Sequence, residues 1–233
     1  MEVNREKDLI NDAFFWDAAN WSKSIGLWEK YIKVNLNSTK ALELGCGENG
    51  GLSLWLGYRG SEVICSGYKE ISQVTVNIHK QYKLGHKIEY SIIDALSIPY
   101  TEYFDIICFK SLLGGIVREN ELAVAKKVIL QVKKALKPGG VLIFAENLSS
   151  SFLHKLLRNR YGALRNNWRY FTVKEMKELF ADFTSFEYRT FGFLGCFGRN
   201  ERQKKILGKV DTILFDKILS ENLHYIISGI CIK

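Results

Sequence analysis

The chain has 233 residues, of which 47% are hydrophobic, and a formal net charge of +8. This length and composition suffice for a buried core and predict a single domain. The charged start, MEVNREKDLINDAFF, lacks the order of a signal peptide, and no apolar run approaches the ~18 residues of a membrane span. These features exclude a secreted or membrane-spanning chain and predict a soluble cytoplasmic protein, whose positive charge favours anionic partners.

The cysteines give no sign of a metal site or a disulfide framework. The five cysteines, Cys46, Cys65, Cys108, Cys196 and Cys231, form no CxxC pair and lie mostly in apolar runs. Cysteines in such runs usually behave as small buried hydrophobic residues. We therefore predict neither bound metal nor disulfides.

The first zone, residues 1–38, contains an apolar helix face. Trp21, Ile25, Trp28 and Ile32 recur at spacings of four, three and four residues. This period is typical of an amphipathic helix that packs on a larger structure. We predict a helical cap on the edge of a sheet.

The second zone, residues 39–147, alternates strand-like and helix-like segments. The predicted strands are KALELG, EVICS, KIEYSII, FDIICFK and VLIFAE, and the predicted helices cover 50–58, 70–80 and 119–136. Both prolines fit this order, since Pro99 lies in a loop and Pro138 ends the last helix. Such a βαβα order predicts a parallel sheet with ligands at the carboxyl ends of its strands.

The third zone, residues 148–233, is predicted to hold a helix at 173–181 and two strands, FTSFEYRTF and LHYIISGICIK. The stretch between these strands, 192–209, is longer than a tight turn needs. It forms either a lid over a site or an additional short helix.

A glycine-rich turn, ALELGCGENGG at 41–51, follows the first strand. Gly45, Gly47 and Gly50 match GxGxxG and allow positive φ and the close approach of a ligand. Glu43, two residues before the first glycine, would repel a pyrophosphate but could pair with an ammonium or cationic group. The turn predicts a nucleotide-like cofactor, with a dinucleotide-binding domain as the alternative.

This motif resembles motif I of the class I methyltransferases that depend on S-adenosylmethionine (SAM). Asp94 after the third strand, the strand FDIICFK and the segment LKPGG extend the resemblance over residues 40–147. It implies a Rossmann-like α/β fold with a mostly parallel seven-stranded sheet, helices on both faces and an antiparallel last strand. Residues 1–233 would then be one domain, with a cap at 1–38, a SAM-binding core at 39–147 and an acceptor-side segment at 148–233.

The resemblance also implies which residues hold SAM and its product S-adenosylhomocysteine (SAH). In this family the acid at Asp94 accepts from the adenine amino group, Ala95 offers its backbone amide, and Cys46 offers its backbone N–H. Lys110 and Ser111 lie where the reactive methyl group should emerge, and Trp21 is a candidate lid residue. The implied cofactor residues are Glu43, Gly45, Cys46, Gly47, Gly67, Tyr68, Asp94, Ala95, Lys110, Ser111 and Trp21.

The second strand departs from the family pattern. It usually ends in an acid that binds both ribose hydroxyls, and here that position is Gly67 in EVICSGYKE. Either Tyr68 stacks beside the adenosine and Glu70 reaches the ribose, or SAM binds more weakly. A lost charged acceptor costs on the order of 1.5–3 kcal/mol.

The range of possible methyl acceptors is narrowed mainly by two motifs that the sequence lacks. The fourth strand ends in FKSLLGG rather than Asn/Asp-Pro-Pro-aromatic, and neither proline precedes a cysteine, which disfavours base methylation. Glu146 and His154, near the end of the fifth strand, are candidate general bases for transfer to a hydroxyl.

The overall string also resembles uncharacterised methyltransferases that occur among bacterial surface-polysaccharide biosynthesis enzymes. This suggests O-methylation of a sugar or a glycolipid precursor. A non-catalytic SAM-binding module and an RNA methyltransferase are the alternatives.

A basic stretch from Asn147 to Lys174 has no acidic residue. We predict that Arg165 and Arg169 bind an anionic acceptor such as a diphosphate, or that the stretch meets an anionic membrane surface. Its first part, 151–160, would form a helix with the apolar side chains inward. Those side chains are Phe152, Leu153, Leu156 and Leu157.

Overall fold

In the computed structural model, which describes residues 2–117, 122–161 and 168–233, seven strands form one sheet. Their order across the sheet is β3-β2-β1-β4-β5-β7-β6. The strands are β1 (Lys40–Glu43), β2 (Glu62–Gly67), β3 (Ile88–Ile92), β4 (Phe104–Lys110), β5 (Leu136–Asn147), β6 (Ser185–Phe191) and β7 (Ile226–Ile232).

Strands β1 to β5 pair in parallel, whereas β7 is antiparallel to both β5 and β6. The predicted Rossmann-like fold with an antiparallel last strand is therefore confirmed. The strand order reverses between β1 and β4, which is where open α/β sheets bind ligands.

The helices of the described part of the chain cover both faces of the sheet and the ends of its strands. They are α1 (Glu2–Phe14), α2 (Ala18–Trp21), α3 (Lys23–Tyr31), α4 (Gly51–Tyr58), α5 (Gln73–Gln81), α6 (Leu113–Ile116), α7 (Leu122–Ala135), α8 (Phe152–Tyr161), α9 (Val173–Leu179), α10 (Glu201–Val210) and α11 (Asp216–Ile218). Single 3-10 turns occupy Leu36–Ser38, Gly195–Phe197 and Glu221–Leu223, and a π-helical turn occupies Asp211–Phe215.

Two hydrophobic clusters lie on opposite faces of the sheet, because successive side chains of a strand point to opposite sides. In β4, Ile107 and Phe109 belong to one cluster, and Ile106 and Cys108 belong to the other. The second cluster includes the cap.

The predicted cap consists of three short helices rather than one. Trp21, Ile25 and Trp28 are buried, as their spacing predicts. The Nε1–H of Trp28 donates to the carbonyl oxygen of Gly229 in β7 at 3.1 Å. The Trp28 ring also lies 5.8 Å from that of Trp55 in α4, so the cap is anchored on the sheet.

The stretch 192–209 contains helix α10, which decides between the two predicted alternatives in favour of a helix. Asn200 caps it, since its side-chain oxygen accepts from the backbone N–H of Gln203 at 3.0 Å. Such a bond satisfies one of the free N–H groups at a helix start.

The predicted orientation of α8 is wrong. Phe152, Leu153 and Leu156 are 79%, 45% and 50% exposed, whereas His154 is buried. The side chain of Leu157 lies outside the described residues. The helix turns its histidine inward because the ring is held at both nitrogens, by Ser151 Oγ at 2.7 Å and by the Phe193 carbonyl at 2.8 Å.

Candidate functional site

The glycine-rich turn leaves β1 with a left-handed backbone. Gly45, Gly47 and Gly50 have φ of +64°, +62° and +54°. A Cβ at Gly45 would collide with the side chain of Leu112, but a Cβ at Gly47 would meet nothing within 4 Å. The backbone at Gly47 therefore faces open space that a ligand could fill.

Glu43 fixes this turn to helix α4. Its carboxylate oxygens accept from the backbone N–H groups of Leu52 at 3.2 Å and Ser53 at 2.8 Å. Burial raises the pKa of Glu43, and these hydrogen bonds oppose the shift. The carboxylate thus holds the start of α4 beside the turn, and its direct contact with a cationic ligand stays a prediction.

Cys46 does not offer its backbone N–H to a ligand, contrary to the prediction. That N–H donates to the carbonyl oxygen of Ser66 at 2.8 Å. The bond joins the turn to β2 beyond the end of β1, so this donor is already used.

A cavity of about 430 Å³ opens beside the turn. Its volume is in the range of small-molecule sites. It is lined by Gly45, Tyr68, Ile93, Asp94, Ala95, Leu96, Leu112, Gly115 and Ile116. Gly45, Tyr68, Asp94 and Ala95 were predicted to hold the cofactor. The other lining residues were not predicted, because in the sequence they look like ordinary core residues.

Asp94 is exposed and forms a local turn at the cavity. Its Oδ1 accepts from the backbone N–H of Leu96 at 2.9 Å. Oδ2 makes no hydrogen bond with the described residues, so one carboxylate oxygen is available to a ligand. Tyr68 stands at the same cavity with 75% of its surface exposed.

Gly67 has little room for the acid that the family places there. A Cβ at this position would lie 3.2 Å from Ile71 Cδ1 and 3.3 Å from the Lys69 carbonyl oxygen. The neighbouring residues would have to yield by a few tenths of an ångström. Glu70 is exposed nearby in the sequence.

Lys110, at the end of β4, is surrounded by aromatic rings of the cap. Its Nζ lies 5.2 Å from the ring centroid of Trp21 and 5.9 Å from that of Phe14. Burial lowers the pKa of Lys110, and the charges of Glu43 and Asp17 act against this shift. Nζ forms no hydrogen bond or ion pair with the described residues.

Trp21 adds a second donor at the same place. Its side chain is 1% exposed, and its buried Nε1–H has no hydrogen-bond partner among the described residues. An anionic ligand group could accept hydrogen bonds from the Lys110 ammonium group and the Trp21 indole N–H, neither of which has an acceptor among the described residues. Phe14 was not predicted as part of this site, because only the folded cap brings it to Lys110.

The ends of β4 and β5 are joined by polar contacts. Asn147 Nδ2 donates to Ser111 Oγ at 2.9 Å, and the carboxylate of Glu146 accepts from the Leu113 N–H at 2.8 Å. Burial raises the pKa of Glu146 to about 7, although hydrogen bonds from backbone N–H groups oppose the shift. A carboxylate with such a pKa is suited to general-base catalysis near neutral pH.

His154 lies apart from this group, on α8 against residues 193–197, with both ring nitrogens in hydrogen bonds. Its ring also lies 4.7 Å from that of Phe197. The bonded ring nitrogens match a histidine that holds α8 in place. A catalytic role for His154 stays a prediction.

Arg169 lies over helix α6, two of whose residues line the cavity. Its backbone N–H donates to the Gly114 carbonyl at 2.9 Å, and its Nη2 pairs with Glu175 at 2.6 Å. The buried Nη1 of Arg169 and Nε1 of Trp168 have no hydrogen-bond partner among the described residues. Arg165 lies outside the described residues.

Within residues 2–117, 122–161 and 168–233, no group of three or more His, Cys, Asp or Glu side chains could hold a metal ion. In the same ranges, no helix is long and apolar enough to cross a membrane.

Comparison with known proteins agrees with this geometry. Residues 42–144 match a family model described as a methyltransferase domain. This match supports the enzyme class that the sequence predicts. No curated protein matches this sequence.

Several solved structures share the fold of this chain. Phosphoethanolamine N-methyltransferase 2 of Haemonchus contortus, in complex with SAM, has a TM-score of 0.63 and 14% identity, and the match covers 91% of this chain and 52% of that one. YcgJ of Bacillus subtilis has a TM-score of 0.61 and 16% identity, with 91% and 98% covered. A SAM-dependent methyltransferase of Mesorhizobium loti has a TM-score of 0.58 and 14% identity, with 92% and 98% covered. The chain thus spans about half the length of the Haemonchus enzyme.

Proposed function

We propose that this methyltransferase binds SAM in the cavity beside the glycine-rich turn and transfers its methyl group to a small anionic acceptor. SAM supplies an activated methyl group when bound. The fit is supported by the open space at Gly47, by the available oxygen of Asp94, and by the 430 Å³ cavity that Gly45 and Asp94 line. The SAM complex of a protein with the same fold supports it further.

Lys110 and Trp21 are proposed to hold the carboxylate of the methionine part of SAM. The Trp21 Nε1–H is a buried donor with no acceptor among the described residues, and the ammonium group of the half-buried Lys110 lies beside it at the end of β4. A carboxylate would pair with the ammonium group and accept from the indole N–H. This observation carries the assignment of the cofactor site more than any other.

The acceptor is proposed to be phosphate-bearing, with O-methylation of a cytoplasmic sugar or glycolipid precursor as its finer form. The Nη1 of Arg169 and the Nε1 of Trp168, which have no partner within the described part of the chain, support an anionic group beside α6. The Haemonchus enzyme, which shares the fold, was also solved with phosphomonomethylethanolamine, a small phosphate ester.

Glu146 is proposed as the general base. As the acceptor oxygen forms its bond to the methyl carbon, the S–CH₃ bond breaks with its electron pair left on sulfur. The hydroxyl proton passes to the Glu146 carboxylate. The burial of this side chain and its pKa of about 7 support the role.

The proposal is tested by incubating the protein with methyl-labelled SAM and, separately, nucleotide sugars, lipid-linked glycans and RNA. We expect label in a sugar-containing or lipid-linked acceptor. In Glu146→Gln, kcat should fall by about 100-fold or more while SAH binding is kept. Label in RNA would favour the nucleic-acid alternative, and SAH binding without transfer to any acceptor would favour a binding module.

Arg169→Gln tests the acceptor site. We expect it to raise the KM for the acceptor about tenfold or more, because a hydrogen bond to a charged group contributes about 1.5–3 kcal/mol, and to leave the KM for SAM unchanged. Glu175→Gln is the matched control, since it breaks the same ion pair from the other side. An equal KM for the acceptor in Arg169→Gln and Glu175→Gln would show that Arg169 does not bind the acceptor.

A further inference from the structure

The C-terminal helical segment is apolar on its outer side. Helix α10, the π-helical turn and α11 run without interruption from Glu201 to Ile218. Five of its apolar side chains are each at least 36% exposed. They are Ile206, Val210, Ile213, Leu214 and Ile218. Apart from the adjacent pair Ile213 and Leu214, they follow one another at spacings of three and four residues, which places them along one side of the helix.

The inner side of the same segment is polar. Lys204, Gly208 and Asp211 are the buried positions. The Asp211 carboxylate accepts from the backbone N–H groups of Leu194 at 2.8 Å and Gly195 at 2.9 Å. Rotating the helix to bury its isoleucines would break these bonds, so the orientation is fixed and is the reverse of a helix that covers a core.

Helix α8 shows the same inversion. It turns His154 inward and leaves Phe152, Leu153 and Leu156 exposed. Both helices contact the segment 193–197, since His154 bonds the Phe193 carbonyl and Asp211 bonds the next two N–H groups. Two neighbouring helices therefore present apolar side chains to solvent.

Apart from Glu201 at its start, the exposed charged side chains of the segment 201–218, all of which is described, are positive. The acids near this face are already engaged: Glu201 pairs with Lys204 at 2.8 Å, Asp216 pairs with Lys23 at 2.6 Å, and Asp211 is buried. The exposed cations are Arg202, Lys205, Lys209 and Lys217.

Apolar side chains flanked by lysine and arginine are the pattern of a helix that lies in the interface of an anionic membrane. If a second copy of this chain bound through the same face, its four cations would lie against the four cations of the first copy and repel them. We infer that the outer sides of α8 and of the segment 201–218 form a docking surface for an anionic lipid bilayer. The apolar side chains would enter the head-group boundary, and the cations would lie at the level of the phosphates.

The test is co-sedimentation with vesicles of phosphatidylcholine alone and of phosphatidylcholine mixed with phosphatidylglycerol, which requires neither cofactor nor acceptor. We expect wild type to bind the mixed vesicles, and less so as salt rises. Ile213→Glu should lower the partition coefficient about tenfold or more. Lys209→Glu should lower it about fivefold or more.

Matched controls are Val74→Glu on α5 and Lys127→Glu on α7, which alter equally exposed positions elsewhere. They should bind like wild type. Ile213→Ser, which adds no charge, should weaken binding as well. Failure of wild type to bind the mixed vesicles, or equal losses in the control variants, would overturn the inference. A concentration-dependent dimer that Ile213→Glu abolishes would instead assign the surface to a second copy.

Discussion

Gly47 and Gly139 share a left-handed backbone, with φ of +62° and +72°, and each has open space where a Cβ would lie. Gly47 is in the turn at the carboxyl end of β1, whereas Gly139 is near the start of β5, where the parallel strands have their amino ends. We expect Gly47→Ala and Gly139→Ala to lower the free energy of unfolding alike, by about 1–2 kcal/mol.

Only Gly47→Ala should also weaken SAH binding, because its new methyl group would enter the space proposed for the ligand. Urea denaturation and calorimetry measure the two effects separately. Equal affinity for SAH in both variants would show that the ligand lies elsewhere.

Lys110 is expected to contribute directly to cofactor affinity. Lys110→Met keeps an apolar stem among Phe14 and Trp21 but removes the charge, so SAH should bind about ten- to a hundredfold more weakly. Trp21→Phe keeps a ring but removes the Nε1–H, and its loss should be smaller. Lys126→Met on α7 is the control, and a similar loss there would contradict the proposed carboxylate pairing.

At the residue scale, the sequence predicted the positions that follow directly from a strand end. Gly45, Asp94 and Ala95 reach the cavity because each comes one to three residues after a parallel strand. The role of the Cys46 N–H was wrong because this donor joins the turn to β2 beyond the end of β1. The contact of Phe14 with Lys110 joins residues about a hundred positions apart, and no local pattern encodes it.

At the element scale, a buried polar network joins helix α2 to the segment 192–225. The hydroxyl of Tyr225 donates to Asp17, and Asn20 Nδ2 donates to Asp211 at 2.9 Å. Burial raises the pKa of Asp17 from 3.8 to about 7, and the nearby Asp211 and Glu201 add to the shift, while hydrogen bonds from Tyr225 and Asn20 oppose it.

This shift predicts a pH dependence of stability. Between pH 3.8 and about 7 the folded protein keeps a proton on Asp17 that the unfolded chain has released. The free energy of unfolding must therefore fall as the pH rises through this window and level off above it. Glu146, whose pKa is also raised to about 7, acts with the same sign.

Asp17→Asn should flatten this profile, because an amide cannot lose the proton. Urea denaturation at pH 5, 6, 7 and 8 measures the change, and the difference from wild type isolates the contribution of Asp17 from that of Glu146. Asp8→Asn, at an exposed position on α1, should leave the profile as it is. A wild-type profile no steeper than that of Asp17→Asn would contradict the raised pKa.

The strands were predictable because apolar runs between turn residues define them, and the observed bounds of β4 are those of FDIICFK. The orientation of α8 was not predictable. The spacing of apolar residues shows that a helix has an apolar side, but it does not show whether that side packs against the rest of the protein. There the hydrogen bonds of His154 decide. Helix α10 had a signal in the capping residue Asn200, which is followed at once by an acid.

At the scale of the whole molecule, the antiparallel direction of the last strand followed from the family resemblance rather than from any local pattern. Alternating strands and helices predict a parallel sheet, but they do not place β7 between β5 and β6. The contacts of the cap with β7 also depend on the complete fold. The sequence could therefore predict the architecture of the core, and not how the two outer zones meet across it.

The position of β7 has a consequence for the order in which the chain can fold during synthesis. Strand β6 is made before β7 but pairs only with it, and Trp28 needs the carbonyl of Gly229 in the same strand. The hydrogen bond of Trp28 and the pairing of β6 must therefore wait until β7 has left the ribosome. Until then the edge of β5 stays open to pairing with another nascent chain, which makes this interval the period of greatest risk of aggregation.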